Sequence, residues 1–266
     1  MQVTPPPGAT GPAPGERHFD ATAGVPPPDA KPSPTVSLRL EPSWGYRRFS
    51  DTEPSSTNKR FGTPGVFLVG ARAELYPLAS GSGGILRDVG LTGSYFRAVA
   101  ISVTDFDTDT PVGATWYSYS AGIRLRLLGR TGSFALGLSG AYERWSFTFD
   151  SPATPGREIP TADYKLAGGG IDARQSFGRF SLFAEAAYLQ PLSVASLGDR
   201  NPQKRAYGAR GALGVAFRVT GGMEIDAHAT YTLVRLSLEP LAGRADEPGR
   251  VFDQYLVSTL GLRFSL

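Results

Sequence analysis

The sequence predicts an all-β chain: about ten antiparallel strands closed up-and-down into a transmembrane β-barrel over residues 36–266, behind a disordered proline-rich tail over residues 1–35. Three regularities carry that expectation. Apolar and polar residues alternate through ten segments, the connections between segments alternate in length, and aromatic residues recur at two distances along the apolar face. The totals agree: 33 Gly, 22 Pro, 11 Tyr and 15 Phe against two Met describe many turns and strands, with little material for helices.

Other totals exclude function classes. A net charge of +3, with the basic residues scattered singly, does not supply the clustered patch that a nucleic-acid partner needs. Without cysteine there is no disulfide framework, thiolate metal site or cysteine nucleophile. No run of 18 apolar residues offers a spanning helix, which says nothing about strands that alternate. The start, MQVTPPPGAT, lacks the basic, apolar and small-residue regions of a signal peptide, so an exported chain with this start is expected to be numbered after its removal.

Residues 1–35 carry Pro5, Pro6, Pro7, Pro12, Pro14, Pro26, Pro27, Pro28, Pro32 and Pro34 and almost no large apolar side chains. Such a segment cannot build a core and favours solvated polyproline II. It is expected to act as a linker, with docking to a periplasmic or envelope protein as the second use, because prolines lower the entropy lost on binding.

From Val36 onward the pleat separates two faces. Val36, Leu38, Leu40, Trp44 and Tyr46 point one way in the first segment, against Ser37, Arg39, Glu41, Ser43 and Arg47. The second segment adds Arg72 and Glu74 to the polar face, the fourth Arg124 and Arg126, and the fifth Glu143. Asp172 and Arg174 follow in the sixth, Glu185 in the seventh, Arg210 and Arg218 in the eighth, Glu224, Asp226 and His228 in the ninth, and Arg263 in the tenth. One face is thus read as charged and the other as never charged. In a membrane the charged face must line the bore, where opposite signs are expected to pair across neighbouring strands and cross-link it into a plug.

Connections around 50–63, 102–113, 150–161, 191–205 and 239–250 read as long polar loops, and those near 128–132, 175–179 and 220–222 as tight turns. Residues 77–88 break the rule. Long loops on one rim and short turns on the periplasmic rim are how outer-membrane barrels are built. Tyr46, Tyr95, Tyr117, Tyr142, Tyr188, Tyr207 and Tyr231 lie on the apolar face toward the long loops, and Phe134, Phe180, Phe217 and Phe264 stand at the other end. These are two expected girdles, since amphipathic rings settle at membrane interfaces. Phe134 to Tyr142 is about 26 Å of strand at roughly 3.3 Å per residue, which with its flanks suits the 9 to 11 residues of a membrane strand. A soluble barrel would not explain aromatic bands at fixed heights.

With these features, and the C-terminal segment LVSTLGLRFSL, residues 36–266 resemble small bacterial outer-membrane β-barrel proteins. In that group the last strand signals insertion by alternating apolar residues and a terminal aromatic. Leu256, Leu260, Leu262, Phe264 and Leu266 keep the alternation, but the chain ends on Leu and the aromatic stands two positions earlier. The resemblance places the chain in the bacterial outer membrane.

Only His18 and His228 are available for histidine chemistry. Asp226 with His228, and Asp105 with Asp107, look like the Asp-His and Asp-Asp pairs of omptin proteases, whose catalysis sits at the extracellular mouth. His228, though, is placed only about five residues from the periplasmic turn, so a polar lumen residue is expected. Asp105, Asp107 and Asp109 resemble the opening of a calcium loop, but Thr110 stands in place of its glycine and Trp116 in place of its glutamate, so a solvated acidic loop is expected. Gly168, Gly169 and Gly170 predict a bulge or a close strand approach.

The reading is of a non-enzymatic anchor or scaffold of the cell envelope, needing no cofactor. Its expected partners are outer-membrane lipid, a periplasmic or envelope protein at the tail and an extracellular partner at the long loops. The alternatives are a narrow anion-preferring channel and an omptin-like surface protease.

Overall fold

The alternating segments become ten staves in the computed structural model, which describes residues 34–51, 61–63, 65–79, 84–99, 101–104, 111–128, 133–149, 161–194, 202–238 and 250–266. Residues 1–33, most of the expected long loops, and Asp105, Asp107 and Asp109 lie outside the described residues.

Three staves are each two strands in line: β1 (Val36–Leu40) with β2 (Ser43–Asp51), β3 (Phe61–Gly62) with β4 (Val66–Leu75), and β5 (Val89–Ala98) with β6 (Ile101–Thr104). The first divides at Pro42, which has no N–H for a ladder. Its carbonyl still accepts from the Leu260 N–H at 3.0 Å, and Glu41 exchanges two backbone bonds with Gly70. Seven single strands follow: β7 (Pro111–Leu128), β8 (Phe134–Phe149), β9 (Ala162–Phe177), β10 (Phe180–Val194), β11 (Pro202–Arg218), β12 (Met223–Leu238) and β13 (Arg250–Ser265). Each stave pairs antiparallel with the next, and β13 pairs with β1 and β2, which closes the barrel.

Short connections mark one rim. Gly178 takes φ +63, a left-handed conformation that glycine adopts freely, to turn β9 into β10 within two residues. The barrel's two ends meet there too: the Thr35 N–H donates to the Leu266 carbonyl at 2.7 Å and the Leu266 N–H to the Val36 carbonyl at 2.9 Å. The Gly168–Gly170 run makes no bulge, because β9 stays in unbroken register with β8. Gly170 marks a close approach instead, since a Cβ there would stand 2.9 Å from the Ala186 carbonyl oxygen.

The strands reach into the connections expected at 102–113, 175–179 and 191–205, while the one expected at 150–161 keeps its bounds. β7 has 18 residues and β8, β9, β12 and β13 have 16 each. Sixteen residues at about 3.3 Å, tilted about 40°, rise roughly 40 Å, against an apolar band of about 25 Å. The strands therefore continue about 15 Å past the lipid. Why they do so is a matter of what they pack against inside.

Candidate functional site

The bore holds two layers of opposite character. The layer nearer the short turns is ionic. Arg39, from β1, donates through Nε to Asp226 Oδ2 at 2.8 Å and through Nη2 to Oδ1, and His228 Nδ1 lies 3.1 Å from the same carboxylate. Arg124 on β7 bridges Glu74 on β4, at 2.9 Å, and Asp172 on β9. Arg174 on β9 reaches Glu224 on β12; Arg210 on β11 reaches Glu143 on β8 at 2.8 Å; Arg72 on β4 faces Glu185 on β10 at 3.6 Å and Glu41 at 3.9 Å. Arg263 lies 3.5 Å from Glu74 and 3.9 Å from Glu224.

Most of these pairs do not join neighbouring strands, as the sequence led us to expect. A guanidinium is long enough to reach past its neighbour, so in most pairs the carboxylate stands two or three staves away, and in Arg72–Glu185 five away on the opposite wall. Arg126 sits lower, stacked 3.3 Å from the centre of the Tyr76 ring and donating to the Pro34 carbonyl at 3.0 Å. Arg218 departs from its expected place: although in register with Glu224, it is exposed at the short-turn rim. In the bore, Arg39, Arg72, Arg124, Arg126, Arg174, Arg210 and Arg263 match Glu41, Glu74, Glu143, Asp172, Glu185, Glu224 and Asp226 one for one. A cavity of about 240 Å³ remains among them, edged by hydroxyls of Ser94, Ser118, Ser120 and Thr92.

The second layer, toward the long connections, escaped the sequence reading. Phe49, Val66, Leu68, Trp116, Phe147, Tyr164, Leu166, Leu189, Val234, Leu236, Val251 and Tyr255 all point inward and form one buried apolar cluster. At its centre Arg47 and Asp253, both at 0% exposure, make a two-point ion pair with Nε–Oδ1 2.9 Å and Nη2–Oδ2 2.8 Å. The Tyr164 and Tyr255 hydroxyls each donate to Asp253 Oδ2 at 2.8 Å, and the Phe147 ring lies 4.5 Å below the Arg47 guanidinium. Every lone pair of Asp253 Oδ2 thus has a donor, which a buried charge requires.

Outside, Tyr46, Tyr95, Tyr119, Tyr142, Tyr188, Tyr207 and Tyr231 stand exposed near one level, with Tyr117 half-buried beside them. Phe134, Phe180, Phe217 and Phe264 are exposed at the other end, Phe180 and Phe217 with ring centres 4.9 Å apart. Between the two levels the described outward residues carry no charge; Leu213, Leu260, Ile123, Leu182 and Val215 are half or more exposed there. Leu125 and Leu136 are half-buried.

Beyond the tyrosines the outer face does become charged, contrary to the expectation that it never is. Arg48, Arg97, Arg144, Asp163, Lys165 and Arg235 occupy the same face as the lipid-band residues, one or two outward positions further along. The reason is the strand length: above the lipid this face meets headgroups and water. Arg144 pairs with Asp163 through two bonds of 2.8 and 2.9 Å, and that hydrogen bonding holds the Asp163 carboxyl below its ordinary range.

His228 is committed to Asp226 and Arg39 in the ionic layer, on the far side of the apolar cluster from the long connections. Among the described residues no group of three or more His, Asp or Glu side chains is placed to hold a metal ion.

No family profile and no curated protein sequence matches the chain. Among solved structures it is similar to the outer membrane protease OmpT of Escherichia coli, at 10% identity and TM-score 0.50, over 87% of this chain and 96% of that one. It is also similar to an outer membrane channel from Pseudomonas putida F1, at 9% identity and TM-score 0.43, over 89% and 99%. Neisserial surface protein A aligns at 12% identity and TM-score 0.33, over 86% and 97%. At these identities the likeness is one of fold. The chain has the fold of bacterial outer-membrane β-barrel proteins, and its apolar band between two aromatic levels suits it to that membrane.

Proposed function

We propose that this outer-membrane barrel is a closed, non-enzymatic anchor: it holds long surface connections for extracellular partners on one side and carries the proline-rich segment toward an envelope protein on the other. The supporting observation is the obstructed bore, braced by ion pairs at one level and packed with apolar side chains at the next. A conducting pore needs a continuous wet path, and here the ionic layer is cross-braced between non-adjacent staves while the layer above it is sealed by Phe147, Trp116 and Tyr255. The one-for-one balance of charges is a second observation that favours this reading over an anion-preferring channel.

Full-length protein in planar bilayers is expected to give no stable openings; reproducible steps at moderate voltage would overturn the closed reading. The enzymatic alternative is read separately. Incubation of folded protein with a mixed peptide library is expected to yield no cleavage, and cleavage that His228→Ala abolishes would replace the anchor by a protease.

A further inference from the structure

The outer face of β5, β7, β8 and β9 carries two adjacent cross-strand rows just above the lipid band. The register aligns Arg97, Tyr117, Ser146 and Asp163 in one row, and Tyr95, Tyr119, Arg144 and Lys165 in the next. Four strands about 4.8 Å apart make this patch roughly 14 Å wide. Its charge is uneven: three cations face a single carboxylate, and that carboxylate is already engaged with Arg144. Lys165 also acts on the Asp163 carboxylate electrostatically, so with three cations and one carboxylate the patch keeps a net charge of about +2 in the plane of the headgroups.

What lies beneath the rows fits a lipid. The next two rows down are Gly93, Ala121, Tyr142 and Ala167, then Leu91, Ile123, Gly140 and Gly169. A Cβ at Gly93, Gly140 or Gly169 would meet nothing closer than about 3.8 Å, so packing within the barrel does not demand glycine there. Gly140 and Gly169, with Ala167 in the row above, leave a shallow trough on the hydrocarbon side below Arg144 and Lys165, flanked by the exposed Ile123 and Tyr142. Guanidinium and ammonium groups bind phosphate well where water is thinned, and tyrosines at this depth orient headgroups.

We propose that this patch is a binding site for a phosphorylated lipid of the outer leaflet, with its phosphate between Arg97, Arg144 and Lys165 and an acyl chain along the glycine trough. The site is independent of whether the bore conducts.

The test uses full-length protein in phosphatidylcholine nanodiscs doped with bis-phosphorylated lipid A, with retained lipid counted by native mass spectrometry. Arg97→Gln/Lys165→Gln spares the Arg144–Asp163 pair and is expected to weaken retention about 25-fold, at about fivefold for each basic side chain near an anionic surface. Should that variant fail to fold, Lys165→Gln alone is expected to cost about fivefold. Dephosphorylated lipid A is expected to be held as weakly by wild type as the phosphorylated lipid is by the variant, and equimolar inorganic phosphate is expected not to displace the bound lipid. Arg48→Gln/Arg235→Gln, on other staves, is expected to leave retention within about twofold, as distant solvent-exposed charges are screened. Unchanged retention in the patch variants, equal retention of dephosphorylated lipid, displacement by free phosphate, or an equal loss in the control variant would each overturn the assignment.

Discussion

Below the tyrosine level, Arg124 on the inner wall bridges Glu74 and Asp172 while its neighbour Ile123 faces lipid; above it, Phe147 fills the inner wall while Arg144 faces outward to water. The same sheet, with the same period of two, reverses its polarity between these regions. A strand face has no polarity of its own. Where hydrocarbon lies outside, polar groups can be satisfied only within, and where water lies outside, apolar side chains gain by turning in. The upper third of the barrel is built like a water-soluble one.

The largest effect that would probe this contrast is expected at the centre of the upper layer. Arg47→Leu strands the Asp253 charge among apolar rings and is expected to cost about 3–5 kcal/mol. Urea unfolding in detergent micelles measures it, and Arg47→Leu/Asp253→Leu should recover part of the loss because no charge is then left behind.

Next comes the lipid face. Leu213→Arg, in mid-band, is expected to destabilise by about 2–4 kcal/mol and Gln190→Arg, above the tyrosines, by only about 0–1. Equal costs in bilayer refolding would show that the two regions do not meet different solvents. Within the ionic layer, Arg174→Ala removes bonds to Glu224 and Ser181, whose neighbours remain part-exposed in the cavity. A loss of about 1–2 kcal/mol is expected, below that at Arg47, because water can replace the lost donors.

The smallest effect is a pH dependence outside the band. Asp163 has its carboxyl pKa lowered by the hydrogen bond from Arg144, so it binds fewer protons folded than unfolded. Its contribution is fully present above the unfolded value of about 3.9 and is lost as pH falls through the lower folded value. Unfolding midpoints of Asp163→Asn and wild type should differ at neutral pH and converge in acid; a constant gap would place the effect elsewhere.

Much of this was legible because period-two alternation survives any later detail of packing. The outward position of Tyr46, Tyr142 and Leu213, and the inward position of Arg124, Glu143 and Asp226, follow from the pleat alone. The apolar layer was not read because one meaning was assigned to each face along its whole length. A signal was present in β8: through Tyr142, Glu143, Arg144, Trp145, Ser146 and Phe147 the large apolar residues change face within three positions. Which arginine meets which carboxylate was beyond reach, since partners such as Arg124 and Glu74 are set by the stagger of strands around the barrel and not by their spacing in the chain.

The continuation of the strands past the lipid gives the molecule a stiff pedestal. Whatever sequence joins the staves at their far ends departs from a height of about 15 Å over the hydrocarbon, above the buried apolar cluster. Segments grafted or exchanged at those joints would therefore leave the seal beneath them intact, and variation in what the cell shows to its surroundings would be decoupled from the integrity of the membrane below.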